Sequence, residues 1–201
     1  MNPKIAFLGV PHYCDHVKNL MQYYHFDFTN MCTLDFYEFN TIADFEELYR
    51  SVYTQYDGFC VTGNLNLKII NSLTDLHSKP VQAITSRSLE YFKALFLLLN
   101  ENRSIDFHRV ATDFSLWFDA PVSVRIPQTA DDFIHADQLF TNAQKQLLEL
   151  VTPDNINQIE KNIVSNAKRL LQEGKTDHIL CRFPTAYRIL LEDGVPCSFV
   201  Y

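Results

Sequence analysis

The chain has 201 residues, of which 47% are hydrophobic and 20% charged, with 16 Phe and 10 Tyr. That balance supplies a sizeable core and excludes a disordered tract. A formal net charge of −7 without any Lys/Arg cluster excludes a nucleic-acid surface in this region, because neutralising phosphates takes grouped cations.

Lys4-Ile5-Ala6-Phe7-Leu8-Gly9 is a continuous apolar run ending in Gly, the pattern of a strand buried on both faces of a parallel sheet. Helical spacing follows over 13–25, where Val17, Leu20, Met21 and Tyr24 fall at i, i+3, i+4 and i+7. A second strand is predicted over 27–37. Thr41 reads as the N-cap of the next helix, with Asp44 reinforcing its first turn. Residues 57–62 predict a third buried strand, 64–76 a helix with Leu67, Ile70 and Leu73 on one face, and 80–84 a fourth strand. Thr85-Ser86-Arg87-Ser88 opens an apolar helix over 88–101.

In the second half, 108–114 and 121–126 predict strands, Thr129 to Phe133 the start of a short helix and 141–150 another helix. A longer helix spans 154–173, with Ile156, Ile159, Ile163, Ala167 and Leu170 on one stripe and Gly174 just past its end. Residues 177–181 predict a strand, 184–192 a helix and 195–200 a last strand. Alternating strands and helices imply an α/β fold: two Rossmann-like or flavodoxin-like lobes, each a parallel sheet flanked by helices. The expected division is a first lobe over 1–87, a connecting helix over 88–104 and a second lobe over 105–201. The halves share a pattern, since Asp57 and Asp177 each precede an apolar strand, a helix and a Pro-led second strand. The final run, Val195 to Tyr201, stays apolar without a polar tail. It suggests a domain that continues beyond Tyr201 into an output domain.

Ligands of open α/β sheets sit beyond the carboxyl ends of the strands, where helix N-termini offer N–H groups and partial positive charge. The residues at those places are Pro11 and His12, Thr62, Gly63 and Asn64, Thr85, Ser86 and Arg87, and Arg182 and Thr185. They form the candidate binding set for a small anionic metabolite, with Arg87 and Arg182, one per lobe, suited to bidentate contact. As ordinary loop residues they would be solvated arginines and helix-capping hydroxyls. Cys60 and Cys181 hold matching positions near strand ends, the arrangement of a cofactor-independent two-cysteine racemase, in which one thiolate removes a proton and the other thiol returns it. Against this, free Cys is usually a small buried hydrophobe. His12 and His16, four apart with Cys14 and Asp15 between them, share a helix face as zinc ligands can, but no third ligand is identifiable. Tyr23-Tyr24 and Phe36-Tyr37 suit either core packing or a homodimer surface.

The five glycines form neither a dinucleotide-binding nor a P-loop pattern, and no nucleophile elbow is present, so no cofactor is expected. The longest apolar stretch, Ala94 to Leu99, is too short to span a bilayer. The N-terminus lacks a signal-peptide core. Five scattered cysteines without a C-x-x-C fit free thiols in the cytoplasm.

A resemblance runs along most of the chain. It is carried by Lys4-Ile5-Ala6-Phe7-Leu8-Gly9, by Tyr56-Asp57-Gly58-Phe59-Cys60-Val61-Thr62-Gly63, by the segment Thr85 to Leu95, and by Gly174 to Cys181 followed by Gly194-Val195-Pro196. In the order of its elements the chain resembles the N-terminal sensor domain of propionate-catabolism-type transcriptional activators. The resemblance implies a two-lobed effector-binding domain that holds a small metabolite between its lobes. The chain departs from the family at Thr62-Gly63-Asn64, where those sensors carry an Arg-Gly-Gly-like turn, so the ligand class is not transferred. The alternatives are the two-cysteine enzyme and a protein-interaction module without ligand.

Overall fold

Short apolar runs alternating with helices resolve into two parallel sheets. A computed structural model describes residues 2–85, 88–113, 116, 145, 149–152 and 154–201. The chain divides into two units, Met1–Thr85 and Ser86–Tyr201.

In the first unit, strands β1 (Lys4–Gly9), β2 (Thr33–Glu38), β3 (Gly58–Thr62) and β4 (Val81–Ile84) pair in the order β2-β1-β3-β4, all parallel. Helices α1 (Pro11–Tyr23), α2 (Ile42–Val52) and α3 (Gly63–Ser72) make the crossovers. Right-handed crossovers in this order put α1 on one face and α2 with α3 on the other, and α2 packs beside α3. The core is aromatic: Phe45, Tyr49 and Phe59 are buried, and the Tyr49 and Phe59 rings lie 4.7 Å apart. Thr41 caps α2 as the sequence predicts. Its Oγ1 accepts from Asp44 N at 3.2 Å while Asp44 Oδ2 accepts from Thr41 N at 2.9 Å.

Three predicted boundaries shift. Helix α1 starts at Pro11, whose fixed φ and missing N–H suit a first helical position. The second strand is confined to 33–38 because Asp27 Oδ1 accepts from both Thr29 N (2.9 Å) and Thr29 Oγ1 (2.6 Å), turning the chain where a strand is predicted. Helix α3 ends at Ser72, and its buried positions are Asn66, Ile69 and Ile70; Leu67 and Leu73 are half-buried.

Gly9 ends β1 with three side chains packed against it. A Cβ there would stand 2.9 Å from Phe7 Cε1 and 3.0 Å from both Cys14 Sγ and Thr62 Cγ2. Gly9→Ala is therefore expected to lower stability by about 1–3 kcal/mol, from the backbone shift that overpacking forces. The denaturant midpoint measures it.

In the second unit, β5 (Val110–Thr112), β6 (His178–Cys181) and β7 (Cys197–Phe199) pair in that order, again parallel. Its helices include α4 (Ser88–Glu101), α5 (Ile156–Gln172) and α6 (Pro184–Glu192). The predicted strand over 108–114 shortens at both ends. Phe107–Arg109 forms a 3-10 turn in which Asp106 Oδ1 accepts from His108 N at 2.9 Å, and Asp113 is already helical. The Arg109 guanidinium grips Asp177 through Nε and Nη2, both at 2.5 Å, fixing the start of β6 beside β5. Gly174 and Gly194, at φ 64° and 71°, take the left-handed turns that end α5 and α6. The strand predicted at 121–126 and the helix from Thr129 lie outside the described residues. Of the helix at 141–150, Lys145, Glu149 and Leu150 are described, and they are helical. No helix among the described residues is long and apolar enough to cross a membrane.

Candidate functional site

The strand order of the first unit reverses between β1 and β3, since the chain leaves β1 toward β2 on one side and returns to β3 on the other. The carboxyl ends at such a switch point flank a crevice. Five predicted residues meet there: Pro11 and His12 open α1, Thr62 is the N-cap of α3, and Gly63 and Asn64 are its first residues. Thr85 directly follows β4, in which Ile84 pairs with Thr62. Ser86 and Arg87 lie outside the described residues.

Two helix N-termini thus share one crevice, and neither has a side-chain cap or an acidic residue in its first turn. Helix α2, away from the switch point, has both. The partial positive charge of α1 and α3 is therefore not offset by any side chain of their own first turns. His12 is half-buried. Burial lowers its pKa from 6.5, with Asp15 pulling in the opposite direction. The imidazole is mostly neutral at pH 7 and offers a hydrogen bond, not a fixed charge. Gly63 sits at φ 80°, and among the described residues, its own neighbours and helix backbone aside, no atom stands within 4 Å of where a Cβ would be; Asn64 is exposed.

The second unit fills the equivalent positions from within. Arg182 follows β6, and its backbone N–H donates to Asp113 Oδ2 at 2.9 Å, with its side-chain Nε 3.9 Å from the same oxygen. Asp113 has no exposed surface, and its Oδ1 accepts from the Tyr91 hydroxyl at 2.8 Å. Thr185 lies in the first turn of α6, where its N–H donates to Oε1 of Glu160, reaching across from α5, at 3.2 Å. Ala186 also donates its backbone N–H to Glu160. A guanidinium and a helix N-terminus suited to an external anion are thus already engaged by two internal carboxylates. Burial raises the Glu160 pKa, and it raises the Tyr91 hydroxyl well above its usual range, with the Asp113 charge adding to the latter.

Sequence reasoning missed Asn66 and Glu160, and found Asp113, beside His108 near a strand, unspecific. Asn66 and Glu160 each interrupt an apolar stripe, at the buried positions Asn66-Ile69-Ile70 and Ile156-Ile159-Glu160-Ile163. That interruption is the signal available in the sequence.

The two-cysteine arrangement gains no support from the sulfurs' surroundings. Cys60 is half-buried within β3 and Cys181 fully buried at the end of β6, in different units. Burial raises both thiols, Cys181 well above the usual range, whereas a catalytic thiolate needs the opposite direction. Among the described residues no group of three His, Cys, Asp or Glu is placed to hold a metal. Phe36 packs on Phe7 with centroids 5.0 Å apart, while Tyr23, Tyr24 and Phe26 stay exposed. No protein-family model, curated protein or solved structure matches the chain.

Proposed function

We propose that this chain is an effector-binding regulatory domain and that its first unit takes a small anion at the carboxyl ends of β1 and β3. The observation that carries the reading is the pair of helix N-termini, α1 and α3, that meet at the switch point without capping side chains or first-turn acids. The resemblance to two-lobed sensor domains favours regulation over catalysis. The raised thiols of Cys60 and Cys181 weigh against the enzyme alternative.

Asn64→Asp tests it. A carboxylate at this exposed first-turn position favours the α3 dipole by about 0.3–1 kcal/mol, so the ligand-free protein is expected to be as stable as the parent or slightly more so. The same charge repels an incoming anion. The parent chain is expected to gain thermal stability with phosphate, succinate or acetate, approaching about 2.7 kcal/mol at a hundredfold excess over Kd, and the variant is expected to lose that gain. Equal stabilisation of both proteins, or none of the parent, contradicts the reading.

A further inference from the structure

We propose that the crevice of the first unit selects carboxylates bearing a hydrogen-bond donor on the adjacent carbon, an ammonium or a hydroxyl, and that Asn66 Oδ1 receives that donor. The inference rests on the anion-binding reading above. Asn66 is the first of the buried positions of α3, ahead of Ile69 and Ile70, so its amide lies level with the end of β3. There its Nδ2 donates to the Thr62 carbonyl oxygen at 2.6 Å. This contact fixes the amide orientation, since only the nitrogen can donate to a carbonyl. The Thr62 oxygen is the N-cap carbonyl of α3, and the Asn66 side chain supplies a hydrogen bond to it. With the nitrogen held there, the amide oxygen is the atom left to receive a partner.

That atom is the anomaly. Asn66 is only 4% exposed, and its Oδ1 is closed to solvent without a hydrogen-bond partner among the described residues. Buried acceptors are nearly always matched, and one unmatched within the fold takes its donor from a water or from a ligand group. The nearest charged preference is for an anion, set by the uncapped first turn of the same helix. A carboxylate on the N–H groups of that turn would place a substituent on its neighbouring carbon toward Asn66, one turn along. An ammonium makes the stronger partner because its hydrogen bond is charge-assisted. Reaching Oδ1 requires the first turn of α3 to shift. Gly63, at φ 80° and unobstructed around the Cβ position by the described residues outside its own neighbours and helix, gives the backbone that freedom. Ligand binding then moves α3, which suits a regulatory domain.

The test compares acetate, glycolate and glycine on the full chain by calorimetric titration, with Asn66→Leu alongside. Glycine or glycolate is expected to bind the parent tenfold or more tightly than acetate, roughly the discrimination of a site whose acceptor would otherwise stay unmatched. In the variant the preference is expected to collapse. If Asn66→Leu fails to fold, the parent's Asn66 side-chain amide resonances decide, since they are expected to shift with glycine and not with acetate. Equal binding of all three to the parent overturns the role of Asn66 while leaving the anion site standing. Binding of none overturns both.

Discussion

Replacing Asp113 by alanine is expected to cost about 3–5 kcal/mol, the loss typical of removing one partner from a buried ionic pair. The carboxylate is fully buried and joins three elements: the Tyr91 hydroxyl on α4, the backbone that leaves β5, and the Arg182 backbone N–H after β6. Its removal takes one hydrogen bond from the buried Tyr91 hydroxyl and one from the Arg182 N–H, and removes the nearby carboxylate of a guanidinium that is only 15% exposed. Since a domain is stable by about 5–15 kcal/mol in total, the second unit of the variant is expected to be marginal. Asp113→Asn keeps one oxygen acceptor and is expected to lose roughly half as much. Denaturant unfolding followed by circular dichroism measures both. A loss below about 1 kcal/mol for the alanine variant, the range of an exposed pair, contradicts this account of the network.

Glu160 gives the second large effect, and its size depends on pH. The carboxylate serves as a cap supplied by another helix, accepting from Thr185 and Ala186 at the start of α6. Glu160→Ala is expected to cost about 1–3 kcal/mol by removing the carboxylate that accepts at the start of α6. Burial raises its folded pKa above the ordinary 4.5, against the pull of the Thr185 and Ala186 hydrogen bonds and the Arg188 charge. A raised carboxyl pKa means the folded state holds the proton more tightly than the unfolded chain. Its stabilising contribution is full below 4.5 and is lost as pH rises through the folded value. Glu160→Gln keeps an acceptor oxygen and cannot titrate. The stability of the parent relative to this variant is therefore expected to fall as pH rises from about 4 to 7. The opposite slope would mean that the hydrogen bonds to the carboxylate outweigh its burial.

Much of the architecture is legible in the residues because its causes are local. The run from Lys4 to Gly9 is apolar at every core-facing position, Thr41 and Asp44 stand three apart as a capping pair requires, and Pro184 with Gly194 brackets α6. Where the reading went astray, turn chemistry overrode β-propensity. Phe26 and Phe28 look like strand residues, but Asp27 folds back on Thr29. The crevice itself was legible in Pro11, His12, Thr62, Gly63 and Asn64, because each follows directly from a strand ending where a helix begins. The internal carboxylates were not. Asp113 meets Arg182 across 69 positions and Glu160 meets Thr185 across 25. No local spacing announces either contact, although Glu160 visibly breaks the stripe of α5. Arg182 and Thr185 read as open to a ligand until those partners are placed.

The most direct test of the central claim is a backbone amide NMR titration of the full chain with phosphate and with acetate. The account predicts saturable shifts at the amides of His12, Gly63 and Asn64, where two uncapped helices begin, and little change at Thr185 and Ala186, where Glu160 already stands. Shifts confined to Thr185 and Ala186, or none at His12, Gly63 and Asn64, would contradict it.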